Sequence, residues 1–463
     1  MDSTYVIGLR KDVRFTENML MTNYGAFDAS PFLKLSARMH ESLLAADKTE
    51  DELAAYVLED DDIQGLQIFH KYWQIMSRSA LLTYTLVSAD TKLATISPVG
   101  MGFSFGPKSK LDQGAKQLSR FALQRTCKGA TLIECPKGWS QIDILDVRLA
   151  GVIFYLQAPH TVEALAEKCG LSHQVVEAFL TMLQEAQALT GPGEGGAGQE
   201  DQDPGLAHWE VHDLYFHTRC QLGRHNNGWA TTYRFTDTFP PLPQVKEAMS
   251  RESVPLPKVE RPASESFFHV HETRKTRRDF ASEALTLNQL GTFLYHTVRV
   301  KEKYDDDKGG VTFRPAQGGG ALHSIEVYPL VNRCEGLQSG FYHYNPLKHE
   351  LERLSSLTTS CKQMLMLGRK MMLDQSEPQV ELIFASRFRR IQWKYESLAY
   401  SVILKDVGCL YQTMAMVAEA MGLAGVALGG GHMDLFARIS ELDCYREGSV
   451  GAYMIGSRAP GTD

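Results

Sequence analysis

The sequence has no apolar run that approaches the roughly 18 residues needed to span a bilayer. Its first residues carry an acid and no apolar core, so we expect a cytoplasmic protein with no secretory signal and no membrane partner. The 8 cysteines are scattered without a CxxC pair, which is typical of reduced thiols and gives no zinc site. The net charge of -7 argues against a general nucleic-acid binder.

The glycine-rich loop in the second half of the chain, residues 314–323, is neither a GxGxxG motif nor a Walker loop, so neither NAD nor ATP is implied. The sequence also offers no common metal-binding motif. It contains no HExxH motif, and the spacing of His208, His212 and His217 fits no common zinc pattern. We therefore interpret these histidines as part of an amphipathic element and expect no metal site.

The first half of the chain reads as two small modules and a connector. Residues 1–106 mix a β-like start with helical apolar spacing, and residues 107–190 repeat this pattern and add a helix-turn-helix. The second helix of that motif, 172–189, has no Lys or Arg, which argues against DNA reading. A scaffold for protein or peptide contact is the preferred interpretation, and a packing module without a ligand is the alternative. Residues 191–262 are rich in Gly and Pro, as in a linker.

The total length of 463 residues allows two to four domains. The candidate chemistry lies in residues 263–463. Arg274, Thr276 and Arg278 place a hydroxyl between two planar guanidinium groups, a set that can clamp a phosphate. A solvated basic face is the alternative. Further along, three consecutive glycines in the loop 314–323 let the backbone approach a flat ring or a phosphate closely.

A Lys-Tyr pair at Lys394 and Tyr395 follows a cluster of arginines. Burial or neighbouring cations lower the pKa of a lysine, so the pair can handle protons, and we predict a lowered pKa for Lys394. A solvated amine beside a half-buried ring is the alternative. The apolar helix predicted over 405–421 suits a dimer interface, and Arg458 can supply a further phosphate contact. The cluster comprises Arg387, Arg389 and Arg390.

Together these motifs resemble the FMN-dependent nitroreductase superfamily, and more closely its azoline oxidase branch, the SagB-type dehydrogenases. The resemblance covers roughly residues 263–463. The two-module front end is most similar to that of cyanobactin oxidases. The motifs that carry the resemblance are Arg274-Thr276-Arg278, Arg314 to Leu322, Glu326-Val327-Tyr328, Gly340-Tyr342-Tyr344 and Trp393-Lys394-Tyr395.

The resemblance implies an α+β fold in which a central antiparallel sheet is flanked by helices in a C-terminal FMN domain. It implies a first winged-helix or peptide-clamp-like module at 1–106 and a second winged-helix-like module at 107–190. A flexible linker and proline-rich connector at 191–262 would lead into the nitroreductase-like domain at 263–463.

The resemblance also implies roles for individual residues. Lys394 is expected to act as the general base, and Tyr395 to orient or share the proton. One position departs from the family pattern, because Gly318 stands where relatives often carry Ser. The residues expected to bind FMN are Arg274, Thr276, Arg278, Pro315, Gln317, Gly318, Gly319, Gly430 and Arg458.

The implied activity is the FMN-dependent oxidation of thiazoline or oxazoline rings in a precursor peptide to thiazoles or oxazoles, as in cyanobactin maturation. Dioxygen is the expected electron acceptor, and a homodimer with flavin at the subunit interface is expected. Two alternatives stand beside this reading. One is a generic NAD(P)H-dependent FMN nitroreductase, and the other is a non-catalytic scaffold that binds a precursor peptide.

Overall fold

A computed structural model describes residues 3–16, 19–22, 25–28, 37–100, 102–127, 129–193, 195, 198–225, 227–257 and 266–459. The chain divides into two compact units, Met1–Trp229 and Ala230–Asp463. Each unit has its own apolar core and is described by itself. Within the described residues, no helix combines the length and apolar character needed to cross a membrane.

The first unit is built on a six-stranded antiparallel sheet with helices packed against it. Its strands are β1 Ser3–Leu9, β2 Arg14–Thr16, β3 Met19–Thr22, β4 Gly25–Asp28, β5 Leu82–Ser88, β6 Thr91–Pro98, β7 Gln117–Leu118, β8 Leu123–Cys127, β9 Ala130–Glu134, β10 Ser140–Ile144 and β11 Leu189–Thr190. Its helices are α1 Ala37–Ala45, α2 Glu50–Arg78, α3 Val147–Tyr155, α4 Val162–Cys169, α5 His173–Glu185 and α6 Val211–Arg219. The order in the large sheet is β1-β5-β6-β10-β9-β8.

The structure divides the first half of the chain differently from the predicted boundaries. The boundary at 106/107 falls within one sheet, because β10 pairs with β6 and places Ile142 opposite Ile96. An edge strand leaves a row of unpaired backbone groups, and this pairing satisfies them. The two predicted modules therefore share one sheet and one core.

The predicted linker also contains ordered structure that belongs to the first unit. Glu200 is buried at 5% exposure and accepts hydrogen bonds from the Ser119 hydroxyl at 2.8 Å and the Lys137 amine at 2.7 Å. Arg219 on α6 donates to Glu134 at 3.0 Å. These polar contacts to strand β9 and to the segments beside it fix this part of the chain, although its composition is poor in apolar side chains.

The predicted helix-turn-helix is present. Gly170 ends α4 with φ of +63°, a left-handed conformation that suits glycine, and Ser172 caps α5 by accepting from Val175 N at 3.3 Å. An acidic run such as residues 59–62 favours the start of a helix, but here it lies inside α2, which continues through it. Acidic residues alone do not end a helix that meets no Pro.

The second unit has a seven-stranded antiparallel sheet with the order β13-β18-β17-β16-β19-β22-β21. Its strands are β12 Ala230–Thr231, β13 Ser253–Pro255, β14 Glu302–Tyr304, β15 Val311–Phe313, β16 Ile325–Val331, β17 Gly340–Asn345, β18 Glu350–Ser355, β19 Val380–Arg387, β20 Tyr395–Glu396, β21 Leu423–Leu428 and β22 Glu447–Ser457. Its helices are α7 Phe267–Thr273, α8 Leu287–Thr297, α9 Thr359–Met371, α10 Phe388–Gln392, α11 Ala399–Ala420 and α12 Met433–Ser440.

Helices cover both faces of this sheet. Side chains alternate along a strand, so neighbouring residues of β19 face opposite sides. Leu382 and Phe384 pack in the core that α8 and α11 cover, whereas Ile383 packs in the core that α9 and α12 cover. The expected α+β fold, an antiparallel sheet flanked by helices, is confirmed for the C-terminal region.

A charged network lies inside this sheet. Glu326 on β16 forms an ion pair with Arg387 at 2.9 Å and a hydrogen bond with His343 at 3.1 Å, and all three side chains are buried. Burial opposes ionisation of Glu326, but Arg387, His343 and Arg314 together lower its pKa to about 2. The carboxylate is thus charged at neutral pH and neutralises cations that have no access to water.

Replacing Glu326 with Gln should lower the free energy of unfolding of the second unit by about 3 kcal/mol at pH 7, because the change leaves the Arg387 charge buried without its partner. A depressed carboxyl pKa contributes stability above the unfolded-state value, so this deficit should shrink as pH falls towards 2. Urea denaturation at several pH values measures both effects. The control is Glu302→Gln on exposed β14, and equal losses for the two variants would contradict the account.

Candidate functional site

The glycine-rich loop and the Lys-Tyr pair meet in the second unit. Gly320 has φ of +58°, and a Cβ built there would overlap the Tyr395 hydroxyl and lie 2.9 Å from the Lys394 amine. Only glycine satisfies both the left-handed backbone and the lack of space. The structure therefore brings the predicted proton-handling residues against the backbone of the predicted flavin-binding loop.

The main chain around Lys394 is held by a short strand pair. β20 pairs with β12, so that Tyr395 lies opposite Thr231, and the Lys394 carbonyl accepts from Thr232 N at 3.1 Å. The buried Trp393 indole donates to the Phe239 carbonyl at 2.7 Å. These contacts lie on either side of Lys394 in sequence and fix its position.

The pKa of Lys394 is lowered, as the sequence predicted. Burial is the largest cause, and the charges of Arg390 and Lys308 add to it, while Asp306 acts in the opposite direction. Arg390 is held in place because its guanidinium donates to backbone carbonyls, among them that of Leu322 in the glycine loop at 3.1 Å and that of Gly309 at 2.8 Å. A lysine in this setting has a larger neutral fraction near pH 7 than a solvated one.

The other two arginines of the cluster have different partners. Arg387 belongs to the buried pair with Glu326, and Arg389 donates to the Pro240 carbonyl at 3.1 Å. The pKa of the Tyr395 hydroxyl is raised, first by burial and then by Tyr233 and Asp406. Tyr395 therefore keeps its proton at neutral pH and is a donor, whereas the lowered pKa of Lys394 enlarges the fraction of its amine that can accept a proton.

Asp406 is a site residue that the sequence reasoning missed. Its Oδ1 accepts from the backbone amide of Gly319 at 2.8 Å, and its Oδ2 makes no hydrogen bond within the described part of the chain. Burial raises the pKa of Asp406 to about 6, against the Gly319 amide, which lowers it. The available signal was an acid within the largely apolar helix α11, whose other acid is Glu419 near its end.

The departure at Gly318 has a steric reason. A Cβ at Gly318 would lie 2.6 Å from Nδ1 of His323, so a serine there would displace the imidazole. Burial, then the charges of Arg314 and Arg390, lower the pKa of His323 to about 3, which keeps the ring neutral. Gln317 lines a small cavity of about 30 Å³ with Arg314, His323 and Asp406, and Pro315 is half-buried beside it.

The predicted phosphate clamp lies at a second place. Arg274 and Thr276 line a polar cavity of about 190 Å³ together with Tyr411 and Gln412 of α11 and Tyr453 of β22. The cations, the hydroxyls and the amide of this cavity fit a phosphate or a polyhydroxyl chain.

Two of the predicted phosphate-binding arginines are outside the lining of this cavity. Arg278 does not line it, and its carbonyl accepts from the Ser376 hydroxyl at 2.6 Å. Arg458 lies 3.6 Å from the carboxylate of Glu419. The buried Arg277 lies 3.5 Å from the same carboxylate and was not among the predicted residues.

The glycine loop and the polar cavity lie on opposite sides of α11. Asp406 and Val402 are one turn apart and face the glycine loop, since a Cβ at Gly319 would overlap the Val402 side chain. Tyr411 and Gln412 face the polar cavity, five and six residues after Asp406 and therefore on the opposite side of a helix with about 3.6 residues per turn. One chain thus presents two separate groups of candidate site residues, and Gly430 lies in neither of them but lines a third cavity.

Comparisons with known proteins agree with these motifs. Residues 271–457 match the family model described as the nitroreductase family, and residues 116–226 match the model described as cyanobactin oxidase ThcOx. The matches confirm the predicted resemblance and the nitroreductase fold of the C-terminal region.

Individual relatives were also found. The chain is 28% identical over 225 residues to the microcin B17-processing protein McbC of Escherichia coli, covering 44% of this chain and 80% of McbC. It is 27% identical over 140 residues to the trifolitoxin-processing protein TfxB of Rhizobium leguminosarum bv. trifolii, covering 30% of this chain and 38% of TfxB. A solved E. coli microcin synthetase McbBCD complex with truncated pro-MccB17 has a TM-score of 0.34 and 23% identity, covering 53% of this chain and 91% of that chain.

Replacing Gly320 with Ala should disturb the Lys-Tyr pair. Gly422, with φ of +62° and nothing within 4 Å of its built Cβ, is the matched control because it shares the backbone conformation but not the crowding. Gly422→Ala should cost about 1 kcal/mol of stability, and Gly320→Ala a further 1–3 kcal/mol or so. Urea denaturation measures both, and reductive methylation followed by mass spectrometry measures exposure of the Lys394 amine. Equal costs and unchanged methylation would contradict the described contact.

Proposed function

We propose that this protein is an FMN-dependent oxidase that converts thiazolines and oxazolines in a precursor peptide to thiazoles and oxazoles. The observation that carries the proposal is the meeting of Lys394, with its lowered pKa, and Tyr395 at the glycine loop around Gly320. The matches to ThcOx, McbC and TfxB support peptide azoline oxidation. The match of residues in the first unit to the ThcOx model does not favour the alternative of a generic nitroreductase.

The residues present fit FMN. Arg274 and Thr276 of one copy of the chain would hold its phosphate in the polar cavity, and the side-chain-free backbone of Gly318 and Gly319 of a second copy would lie against its ring. When bound, FMN supplies the hydride acceptor for the oxidation, and dioxygen is the proposed final electron acceptor.

The protein's own task in this reaction is to remove a proton. An azoline that becomes an azole loses one hydride and one proton, and the neutral amine of Lys394 takes the proton. The protonated hydroxyl of Tyr395 orients the reacting ring by donating a hydrogen bond. Asp406 positions the glycine loop through its bond to the Gly319 amide, which keeps the loop backbone against Lys394.

We also propose a homodimer in which each flavin lies between two copies of the chain. The phosphate half-site comprises Arg274 and Thr276 at the polar cavity, and the proton-handling half-site comprises Lys394 and Tyr395 at the glycine loop. The two half-sites face opposite sides of α11, so one chain cannot close both around one flavin. A second copy that packs along α11 would bring its own proton-handling half-site to the phosphate half-site of the first.

The first unit is the proposed contact for the precursor peptide, through the sheet and the helix-turn-helix formed by α4 and α5. Its match to the ThcOx model supports this assignment. Roles for Gly430, Arg278 and Arg458 in FMN binding stay predictions, as does action in the cytoplasm.

Lys394→Ala should retain FMN and lose azole formation by about a hundredfold to ten-thousandfold, because it lacks the general base. The wild-type rate should rise with pH through the Lys394 pKa, since the neutral amine is the active form, with a midpoint below the ordinary lysine value of about 10.4. Turnover of a synthetic azoline peptide, followed by mass spectrometry, measures both. Lys348→Ala, at an exposed lysine, is the control. Full turnover by a flavin-loaded Lys394→Ala protein would overturn the assignment.

The shared site can be tested with two inactive variants. Arg274→Ala/Thr276→Ala and Lys394→Ala are co-expressed with different tags, and the mixed dimer is purified through both tags. If each site joins half-sites from two copies, one of the two sites in the mixed dimer is intact. The mixed dimer should then show about half of wild-type activity. Each homodimer alone should be inactive. An inactive mixed dimer that still binds peptide would place both half-sites in one chain.

A further inference from the structure

Tyr233, which follows β12, lies against the Lys-Tyr segment at several points. Its backbone N–H donates to the Lys394 carbonyl at 3.3 Å, and its ring packs edge-on against the Trp393 indole with 5.3 Å between the ring centroids. Trp393 is buried, so this contact fixes the orientation of the Tyr233 ring. Burial, and then Tyr233, raises the pKa of the Tyr395 hydroxyl, so Tyr233 is within electrostatic reach of that group as well.

The backbone of Tyr233 is strained. Its φ is +51°, a left-handed conformation that is uncommon for a residue with a Cβ. Ala230 at the start of β12 has φ of +63°, and Ser397 directly after β20 has φ of +66°. Strain of this kind persists where the surrounding contacts hold it, and here it lies at the ends of the strand pair that carries Tyr395. The pairing of β12 with β20 therefore sets the position of Tyr233.

Lys308 lies over one face of the Tyr233 ring. Its amine is 4.7 Å from the ring centroid, which is within the range of a cation–π contact. Lys308 is exposed, and its amine forms no ion pair within the part of the chain that the structure describes. The ring is therefore the contact that keeps this charge in place.

The turn that carries Lys308 joins β14 to β15 and is itself fixed. Asp306 Oδ1 accepts from the backbone N–H of Lys308 at 2.9 Å and from that of Gly310 at 2.6 Å. The Gly309 carbonyl accepts from the Arg390 guanidinium at 2.8 Å. The turn, the phenol ring and the Lys-Tyr segment thus form one cluster of groups in which the Lys308 charge has a defined place.

The charges that act on the Lys394 amine come from two elements, Arg390 of α10 and the pair Asp306 and Lys308 of the turn. Burial is the largest cause that lowers the pKa of Lys394, Arg390 and Lys308 lower it further, and Asp306 raises it. The Tyr395 hydroxyl, which keeps its proton at neutral pH, and the phenol under Lys308 are the other titratable groups of the cluster.

We propose that Tyr233 and Lys308 are positioning residues for proton removal: the Tyr233 ring holds the Lys308 ammonium beside Lys394, and this fixed charge favours the neutral amine that accepts the proton. Their role rests on the proposed function, in which Lys394 is the general base. Lys308 acts through space and Tyr233 acts through Lys308, so neither residue needs to touch the reacting ring. Because Lys308 is exposed, dissolved salt screens its effect.

Competitive labelling with acetic anhydride measures the neutral fraction of individual amines, and it is read from peptide masses after digestion of the flavin-loaded full chain. Lys308→Gln should reduce labelling of Lys394 at pH 7 by about twofold to fivefold, the size of effect between charges near a protein surface. Lys308→Arg keeps the charge and should label as the wild type does. Asp306→Asn keeps the oxygen that accepts from the turn but loses the negative charge, and it should increase labelling.

Variants of the ring test how the charge is held. Tyr233→Leu should reduce labelling of Lys394 as Lys308→Gln does, because it frees the Lys308 amine, whereas Tyr233→Phe keeps the ring face and should not. Adding Lys308→Gln to Tyr233→Leu should change little, since both act by one route. The matched control is Lys168→Gln, which removes an exposed amine 5.1 Å from the centroid of the Tyr155 ring and should leave Lys394 unchanged.

Salt at about 1 M should abolish the difference between Lys308→Gln and the wild type, since the effect is electrostatic. Unchanged labelling of Lys394 in Lys308→Gln at low salt would overturn the proposal, and a substitution at this exposed position does not disturb the core. Equal losses in Tyr233→Phe and Tyr233→Leu would overturn the role of the ring.

Turnover of a synthetic azoline peptide separates this proposal from the proposed function. In Lys308→Gln the midpoint of kcat against pH should move to higher pH with KM unchanged, because the Lys394 amine then becomes neutral only at higher pH. An active Lys308→Gln enzyme with an unmoved midpoint would overturn the positioning role. The labelling needs neither turnover nor flavin. Labelling that responds as expected in a protein that does not oxidise azoline peptides would contradict the oxidase function and support the placing of the charge by Tyr233.

Discussion

The glycine loop passes Lys394 and Tyr395 so closely that its backbone has no space for a side chain. At Gly320 the left-handed conformation and the crowding act together, and at Gly318 and Gly319 the neighbours are His323 and Val402. The loop is fixed from the other side by the bond from the Gly319 amide to Asp406 on α11. The place where a flat ring can lie against bare backbone and the place where a proton can be accepted are therefore set by one constraint.

The helix α11 divides the second unit into two functional sides. Asp406 and the glycine loop lie on one side, and the polar cavity with Arg274 and Thr276 lies on the other. The division gives a physical reason for the proposed dimer, since neither half-site alone offers both a phosphate clamp and a proton acceptor. The buried pair of Glu326 and Arg387 stabilises the sheet from which the glycine loop and the Lys-Tyr segment extend.

Residues with a local chemical pattern could be predicted from the sequence. The antiparallel sheet with flanking helices, the family resemblance and the lowered pKa of Lys394 are confirmed. Contacts between distant segments could not be predicted. The hydrogen bond that makes Asp406 important joins positions 87 residues apart. The same holds for the shared sheet of the first unit, where the pairing of β6 with β10 was not visible in either strand alone.

The central claim is that the protein oxidises azoline rings with electrons passing to a bound flavin and a proton passing to Lys394. The most direct measurement mixes the flavin-loaded protein with a synthetic azoline peptide in the absence of oxygen, and follows the flavin absorbance and the peptide mass together. The account predicts that the flavin is bleached while the peptide loses about two mass units in equal amount, with no nicotinamide cofactor present. A flavin that stays oxidised with the peptide, and is bleached only by NADPH, would contradict it.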